Sequence, residues 1–136
     1  MGVTISEEHG WLECTAAGGI RGGSVTLSFP SVGATENIML AAVTASGRTE
    51  IHNAAREPEI IDLAEFLVKC GAKITGAGGS TICVEGVSRL SPAEHTVIPD
   101  RIVAGTYLCA AAMTRGELIL TRCEPSHMTG FLPVLE

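Results

Sequence analysis

The chain nearly repeats itself at an offset of sixty-nine residues. Laying Ser31 over Asp100 brings Ala41-Ala42 over Ala110-Ala111, Gly47 over Gly116 and Ile51 over Leu120. A two-residue gap then brings Glu57-Pro58 over Glu124-Pro125. The chain therefore carries one supersecondary unit and most of a second, and any fold proposed for it must accommodate two versions of one motif.

Each copy reads alike. A short strand (Ser24 to Phe29; His95 to Ile98) leads into a helix of small residues (about Val32 to Ala45; about Arg101 to Thr114). Gly47 and Gly116 suit the left-handed position that ends a helix, and Thr49 to His52 and Glu117 to Thr121 then supply β-prone residues. A second helix is expected near Pro58 and near Pro125, because proline in the first turn gives up no N–H that the helix needs. In the first copy, Ile60, Leu63, Ala64 and Leu67 fall at helical spacing opposite Asp62, Glu65 and Lys69, and Gly71 stops the helix. Lys73 to Thr75 and Thr81 to Glu85, joined through Gly76 to Ser80, predict a hairpin. The complete unit is βαβαββ and the class α/β.

Three stretches follow: residues 1–20 as the closing hairpin of a preceding unit, with strands at Val3 to Ser6 and Trp11 to Thr15; residues 21–92 as the complete βαβαββ unit; and residues 93–136 as a partial next unit, βαβα. Measured against the repeat, both ends look cut, which is the expectation for a piece of a longer protein.

Composition narrows the function classes. Of 136 residues, 46% are hydrophobic and only 4% aromatic (Trp11, Tyr107, Phe29, Phe66, Phe131), so the core must be packed from small aliphatic side chains. No apolar run approaches the roughly 20 residues that span a bilayer, and no basic segment followed by an apolar one opens the chain. A soluble, cytoplasmic protein without a membrane partner is expected. A net charge of −6 with scattered Lys and Arg offers no footprint for a nucleic-acid backbone.

The five cysteines (Cys14, Cys70, Cys83, Cys109, Cys123) are odd in number and never in CxxC spacing, so reduced, mostly buried thiols are expected. The four histidines (His9, His52, His95, His127) show no metal-ligand spacing and are assigned to loops or the surface; no metal and no cofactor are expected. The glycine-rich run Gly76 to Ser80 lacks the Lys-Ser/Thr ending of a phosphate loop and reads as a turn.

Ser31 is a good N-cap, and the amides of Val32, Gly33 and Ala34 would emerge from the helix start, where free N–H groups and the helix dipole favour an anion. A capping serine by itself only starts a helix. Glu57 and Glu59 flank Pro58 beside Arg56; such carboxylates serve as general acid and base, or favour the helix dipole and pair with the neighbouring arginine. Asp100, followed by Arg101, takes the N-cap place that Ser31 takes in the first copy.

Four stretches together carry a resemblance: Phe29-Pro30-Ser31-Val32-Gly33-Ala34-Thr35-Glu36-Asn37-Ile38-Met39, Asn53-Ala54-Ala55-Arg56-Glu57-Pro58-Glu59-Ile60-Ile61-Asp62, Gly71-Ala72-Lys73-Ile74 and Pro99-Asp100-Arg101-Ile102. From Gly2 to about Leu135 the chain resembles the central stretch of the UDP-N-acetylglucosamine 1-carboxyvinyltransferases. The sister family making enolpyruvylshikimate phosphate is the nearest alternative.

The resemblance implies transfer of the enolpyruvyl group of phosphoenolpyruvate to the 3-hydroxyl of UDP-N-acetylglucosamine, the first committed step of peptidoglycan synthesis, without metal or organic cofactor. It also implies an inside-out α/β barrel built from βαβαββ units. By position, Phe29, Pro30, Ser31, Val32 and Gly33 would bind the diphosphate of the substrate. Arg56, Glu57, Glu59, Asp100 and Arg101 would lie near the cleft as positioning residues. Val103 stands where most relatives carry glutamate.

The family's cysteine general-acid loop and its amino-terminal Lys-Asn pair have no counterpart here, so no residue is assigned as catalytic and no turnover is expected of the chain alone. A noncatalytic module that self-associates through exposed repeat faces, a homo-oligomer, is the other reading.

Overall fold

The computed structural model describes residues 1–135. Two compact units emerge, Met1–Thr96 and Val97–Glu136.

The first unit opens with an antiparallel hairpin, β1 (Thr4–Glu8) and β2 (Trp11–Thr15), in which Glu8 faces Trp11 across the turn. His9 and Gly10 both take positive φ (52° and 80°), the backbone of the two-residue turn whose twist matches that of paired strands. Both strands are exposed throughout, and Trp11 keeps 79% of its surface in solvent.

The body of this unit is a four-stranded sheet in the order β3-β4-β6-β5, from β3 (Ser24–Thr26), β4 (Arg48–His52), β5 (Lys73–Thr75) and β6 (Thr81–Glu85). β3 runs parallel to β4, and the other pairs are antiparallel. Helix α1 (Val32–Ala42) joins β3 to β4, and α2 (Pro58–Lys69) follows β4, so the order is the βαβαββ that the repeat predicts.

Side chains alternate along β4. Thr49 and Ile51 are buried, while Arg48, Glu50 and His52 share the opposite face. Ile51, Ile82 and Val84 from the sheet close against Met39, Ala42 and Val43 of the α1 region and Ile60, Ala64 and Leu67 of α2. Apart from Thr35 and Thr49, the buried side chains of this unit are aliphatic or sulfur-bearing, as the scarcity of aromatic residues requires.

Helix α2 shows how local signals set the boundaries. Pro58 occupies the first turn, Glu59 and Lys69 suit the dipole at the two ends, and Ile60, Ala64 and Leu67 form its buried stripe. Gly71 adopts φ +100°, and the amide of Ala72 returns to the Leu67 carbonyl at 2.9 Å, the six-to-one bond of a Schellman stop.

Several expectations need correction. β3 ends at Thr26 rather than Phe29: one further bond, from the Leu27 amide to the His52 carbonyl (3.0 Å), precedes Pro30, which has no N–H to give. α1 ends at Ala42 with Val43 as its cap, so Gly47 (φ 91°) belongs to the turn into β4. Gly86 packs against that turn. Its amide donates to the Gly47 carbonyl at 2.9 Å, and a Cβ there would stand 1.6 Å from the Ala45 carbonyl oxygen.

The second unit carries α3 (Arg101–Thr114), a 3-10 turn (Pro125–Met128) and the short helix α4 (Leu132–Leu135). Ala104 and Met128 are its buried residues. α3 ends on Arg115 in the left-handed conformation (φ 53°), with the Gly116 amide bonded to the Ala111 carbonyl at 3.0 Å; the special position falls one residue before the expected glycine.

Neither His95 to Ile98 nor Glu117 to Thr121 forms a strand. A strand exists through its partners, and neither segment meets a facing ladder among the described residues. The helix expected near Pro125 is the 3-10 turn followed by α4. By compactness the chain divides after Thr96, with the 1–20 hairpin inside the first unit.

Candidate functional site

Parallel pairing delivers β3 and β4 to the same edge of the sheet, and each is followed there by a helix start, α1 after β3 and α2 after β4. Ligands of open α/β sheets lie outside the carboxyl ends of parallel strands, and the first amides of a helix have no partner within it. That edge is the candidate site.

Ser31 caps α1 in an extended conformation (φ −96°, ψ 122°), and its Oγ accepts from the Ala34 amide at 3.3 Å. Of the three amides that the sequence offers to an anion, Ala34 is thus already engaged, leaving Val32 and Gly33. The approach is open: Phe29 and Pro30 are exposed, as is Gly33, and no heavy atom would lie within 4 Å of a Cβ built on Gly33.

The second signature sits beside the first. Asn53 takes φ 55° and its Nδ2 donates to the Leu27 carbonyl at 3.0 Å, tying the end of β4 to the end of β3. The Ala54 amide donates to Ser80 O at 3.1 Å, in the β5–β6 loop. The Ala55 amide donates to the hydroxyl of Thr35 at 3.0 Å, and that hydroxyl donates to the Ser31 carbonyl at 2.8 Å. Thr35 is wholly buried, so the two signatures are joined through one side chain.

Arg56 is exposed, and its backbone amide donates to Glu57 Oε2 at 2.8 Å. Glu57 occupies the N-cap position of α2 but its side chain caps no helix amide; Glu59 lies in the first turn, where a carboxylate favours the dipole. Asp100 caps α3 with Oδ1, which accepts from Ile102 at 2.8 Å and Val103 at 3.0 Å; Arg101, half-buried, is the first residue of that helix. Phe29 to Gly33 and Arg56 to Glu59 therefore belong to the first unit, and Asp100 and Arg101 to the second.

Thr35 escapes a reading of the sequence that stops at the cap. Its signal is its spacing: Thr35, Met39 and Ala42 fall on the buried stripe of α1, an odd place for a hydroxyl without partners.

His95 is a second omission. It lies in an irregular segment, but its side chain is 7% exposed against α2, with Nε2 2.8 Å from Asp62 Oδ1, Nδ1 3.0 Å from Lys69 Nζ, and its ring 5.6 Å from that of Phe66. A lysine ammonium only donates, so Nδ1 accepts and Nε2–H donates to Asp62. This cluster holds the irregular segment after β6 on the back of α2.

On the face of the sheet that bears Arg48, the guanidinium donates to Cys83 Sγ (3.2 Å) and pairs with Glu50 (2.8 Å), contacts that raise its pKa further, the Cys83 bond foremost. Cys70 is the one buried thiol; Cys14 is exposed and the others are half-buried, all of them free. Among the described residues no group of three or more His, Cys, Asp or Glu is placed to hold a metal, and no helix is long and apolar enough to cross a membrane.

This fold is shared with solved enolpyruvyl transferases. The enolpyruvyl transferase NikO from Streptomyces tendae superposes with a TM-score of 0.69 over 81% of this chain and 28% of its own, at 24% identity. EPSP synthase from Acinetobacter baumannii does so with 0.60 over 83% and 26%, also at 24% identity. The chain belongs to the EPSP synthase (3-phosphoshikimate 1-carboxyvinyltransferase) family, whose model matches residues 1–136.

Within that family, curated relatives at 52–56% identity are UDP-N-acetylglucosamine 1-carboxyvinyltransferases. It is 55% identical over 136 residues to UDP-N-acetylglucosamine 1-carboxyvinyltransferase 2 of Caldanaerobacter subterraneus subsp. tengcongensis, covering all of this chain and 32% of the relative. It is 56% identical over 128 residues to UDP-N-acetylglucosamine 1-carboxyvinyltransferase of Corynebacterium jeikeium, covering 94% and 30%. The chain thus spans about a third of the length of the curated relatives it matches.

Proposed function

We propose that this chain supplies the diphosphate-holding part of an enolpyruvyltransferase acting on UDP-N-acetylglucosamine in cytoplasmic peptidoglycan synthesis. One observation carries the reading: the Ser31–Thr35 helix start, open at Val32 and Gly33, is bonded to the Ala54–Glu59 segment, in a chain 55% identical to a UDP-N-acetylglucosamine 1-carboxyvinyltransferase. The Val32 and Gly33 amides and the positive end of the α1 dipole meet the diphosphate, with Phe29 and Pro30 beside it. Arg56 lies exposed at the start of α2, where a cation completes the anion's charge balance. Glu57 and Glu59, like Asp100 and Arg101 on the second unit, are positioning residues.

In the parent reaction the 3-hydroxyl of the sugar adds to phosphoenolpyruvate and the tetrahedral adduct then expels phosphate, with no metal or organic cofactor. The chain has no residue assigned to proton transfer, a contribution worth about 10²–10⁴ in rate, so it binds without turnover. Titrating labelled chain with UDP-N-acetylglucosamine tests the reading: amide shifts centred on Ser31 to Thr35 support it, and an unchanged spectrum at saturating ligand overturns it. Phosphate release above a no-protein control would refute the assignment of a purely binding role.

A second reading, self-association, is favoured by the hairpin. The register places Ile5 and Leu12, 65% and 71% exposed, on one face of β1–β2. A light-scattering mass of a single chain at micromolar concentration would dismiss it.

A further inference from the structure

Thr35 is wholly buried, and its hydroxyl both donates, to the Ser31 carbonyl at 2.8 Å, and accepts, from the Ala55 amide at 3.0 Å. The Ser31 carbonyl also receives the Thr35 amide at 3.0 Å, so one oxygen is held by two donors of the same residue. That oxygen belongs to the Ser31–Val32 peptide, which is planar and trans, with its N–H opposite its C=O. Pinning the carbonyl into the helix therefore fixes the Val32 N–H pointing out of it.

The acceptor half of the hydroxyl acts on the other segment. By holding the Ala55 amide it sets the path of the chain one residue before Arg56. The Ala54 amide is held separately, by the Ser80 carbonyl at 3.1 Å, so Thr35 is the link to α1 and not the sole support of the loop.

We propose that Thr35 is a positioning residue that registers the outward Val32 amide of α1 against the Arg56 segment, so that the two meet one anionic group at a fixed spacing. Its ligand-binding consequence rests on the diphosphate reading above; the linkage itself does not. Threonine satisfies two requirements together: a hydroxyl with both a donor and an acceptor in use, and a methyl that fills the core.

The test uses the full chain with Thr35→Val, Thr35→Ser and, as a core control, Val84→Ala. Val is nearly isosteric and removes only the hydroxyl's function; Ser keeps the hydroxyl and removes the methyl. Without ligand, Thr35→Val should speed exchange of the Ala55 amide at least about tenfold relative to Ala54 and move the Val32 and Arg56 amide resonances. Thr35→Ser should leave all three near their original positions.

With UDP as the probe, Thr35→Val should weaken binding about tenfold or more. Thr35→Ser and Val84→Ala should bind as the original chain does, although both lose core packing and stability. Unshifted Val32 and Arg56 amides in folded Thr35→Val, or undiminished UDP affinity, would overturn the proposal. If Thr35→Val does not fold, the unsubstituted chain decides: a slowly exchanging Thr35 hydroxyl proton close to a protected Ala55 amide is required, and an unprotected Ala55 amide refutes the linkage. If the original chain binds no UDP, the diphosphate reading falls, and the exchange and shift measurements still judge Thr35.

Discussion

Ile60 and Ile61 are chemically identical neighbours in the same helix with opposite environments, and replacing each by alanine measures what the buried stripe of α2 contributes. Ile60 is wholly buried in the core cluster, and Ile61 is 39% exposed. Truncation to alanine removes three carbons, worth about 2.4 kcal/mol at ~0.8 kcal/mol per buried methylene, and the unfilled space at a fully packed site raises the loss to about 3–4 kcal/mol. At Ile61, outside the cluster, the loss should be about 1 kcal/mol or less. Alanine's better helix propensity adds the same few tenths to both variants and cancels in the difference.

Urea unfolding followed by far-UV circular dichroism reads that difference directly. Ile60→Ala should lose about 2–3 kcal/mol more than Ile61→Ala, a large share of the ~5–15 kcal/mol typical of a domain. On heating, a unit of this size should melt about 4–8 °C lower per kcal/mol lost. Equal losses would refute the reasoning, because they would mean that α2 does not bury the face its periodicity assigns.

Gly86→Ala should destabilise the first unit by more than the loss at Ile61, since the new Cβ would stand 1.6 Å from the Ala45 carbonyl oxygen and backbone must move; an unchanged urea midpoint would remove that contact from the account. The carboxylate of Glu124 accepts from the Ser126 hydroxyl at 2.7 Å and its amide at 3.2 Å, which lowers its pKa below that of a free glutamate. Its support of the 3-10 turn is therefore complete above the unfolded value and lost as pH falls through the folded one. The Ser126 amide shift should titrate with a midpoint below that of free glutamate and lose this step in Glu124→Gln; a midpoint at or above the free value contradicts the contact.

Features written within one turn of chain were legible in the sequence. Pro58, the Ile60–Leu67 spacing and Gly71 mark α2 from end to end, and Ser31 and Asp100 cap the helices assigned to them. Features that depend on a distant partner were not. Glu117 to Thr121 has the composition of a strand, yet composition does not supply a neighbouring ladder. The Thr35 hydroxyl meets Ala55, twenty residues away, and His95 meets Asp62, thirty-three away, contacts that no local period announces. Arg115 in place of Gly116 at the end of α3 shows the opposite case, where the type of stop was readable and its residue was not.

The single tryptophan stands on β2, mostly in solvent, and no Phe, Tyr or Trp side chain is buried in the body. Intrinsic fluorescence of this chain will therefore report fraying of the β1–β2 ribbon, while the sheet and helices beneath Met39 and Ile82 collapse almost unseen by it. Emission and far-UV signals should part company during unfolding, and that divergence reflects where the chromophore was placed rather than an intermediate in the core.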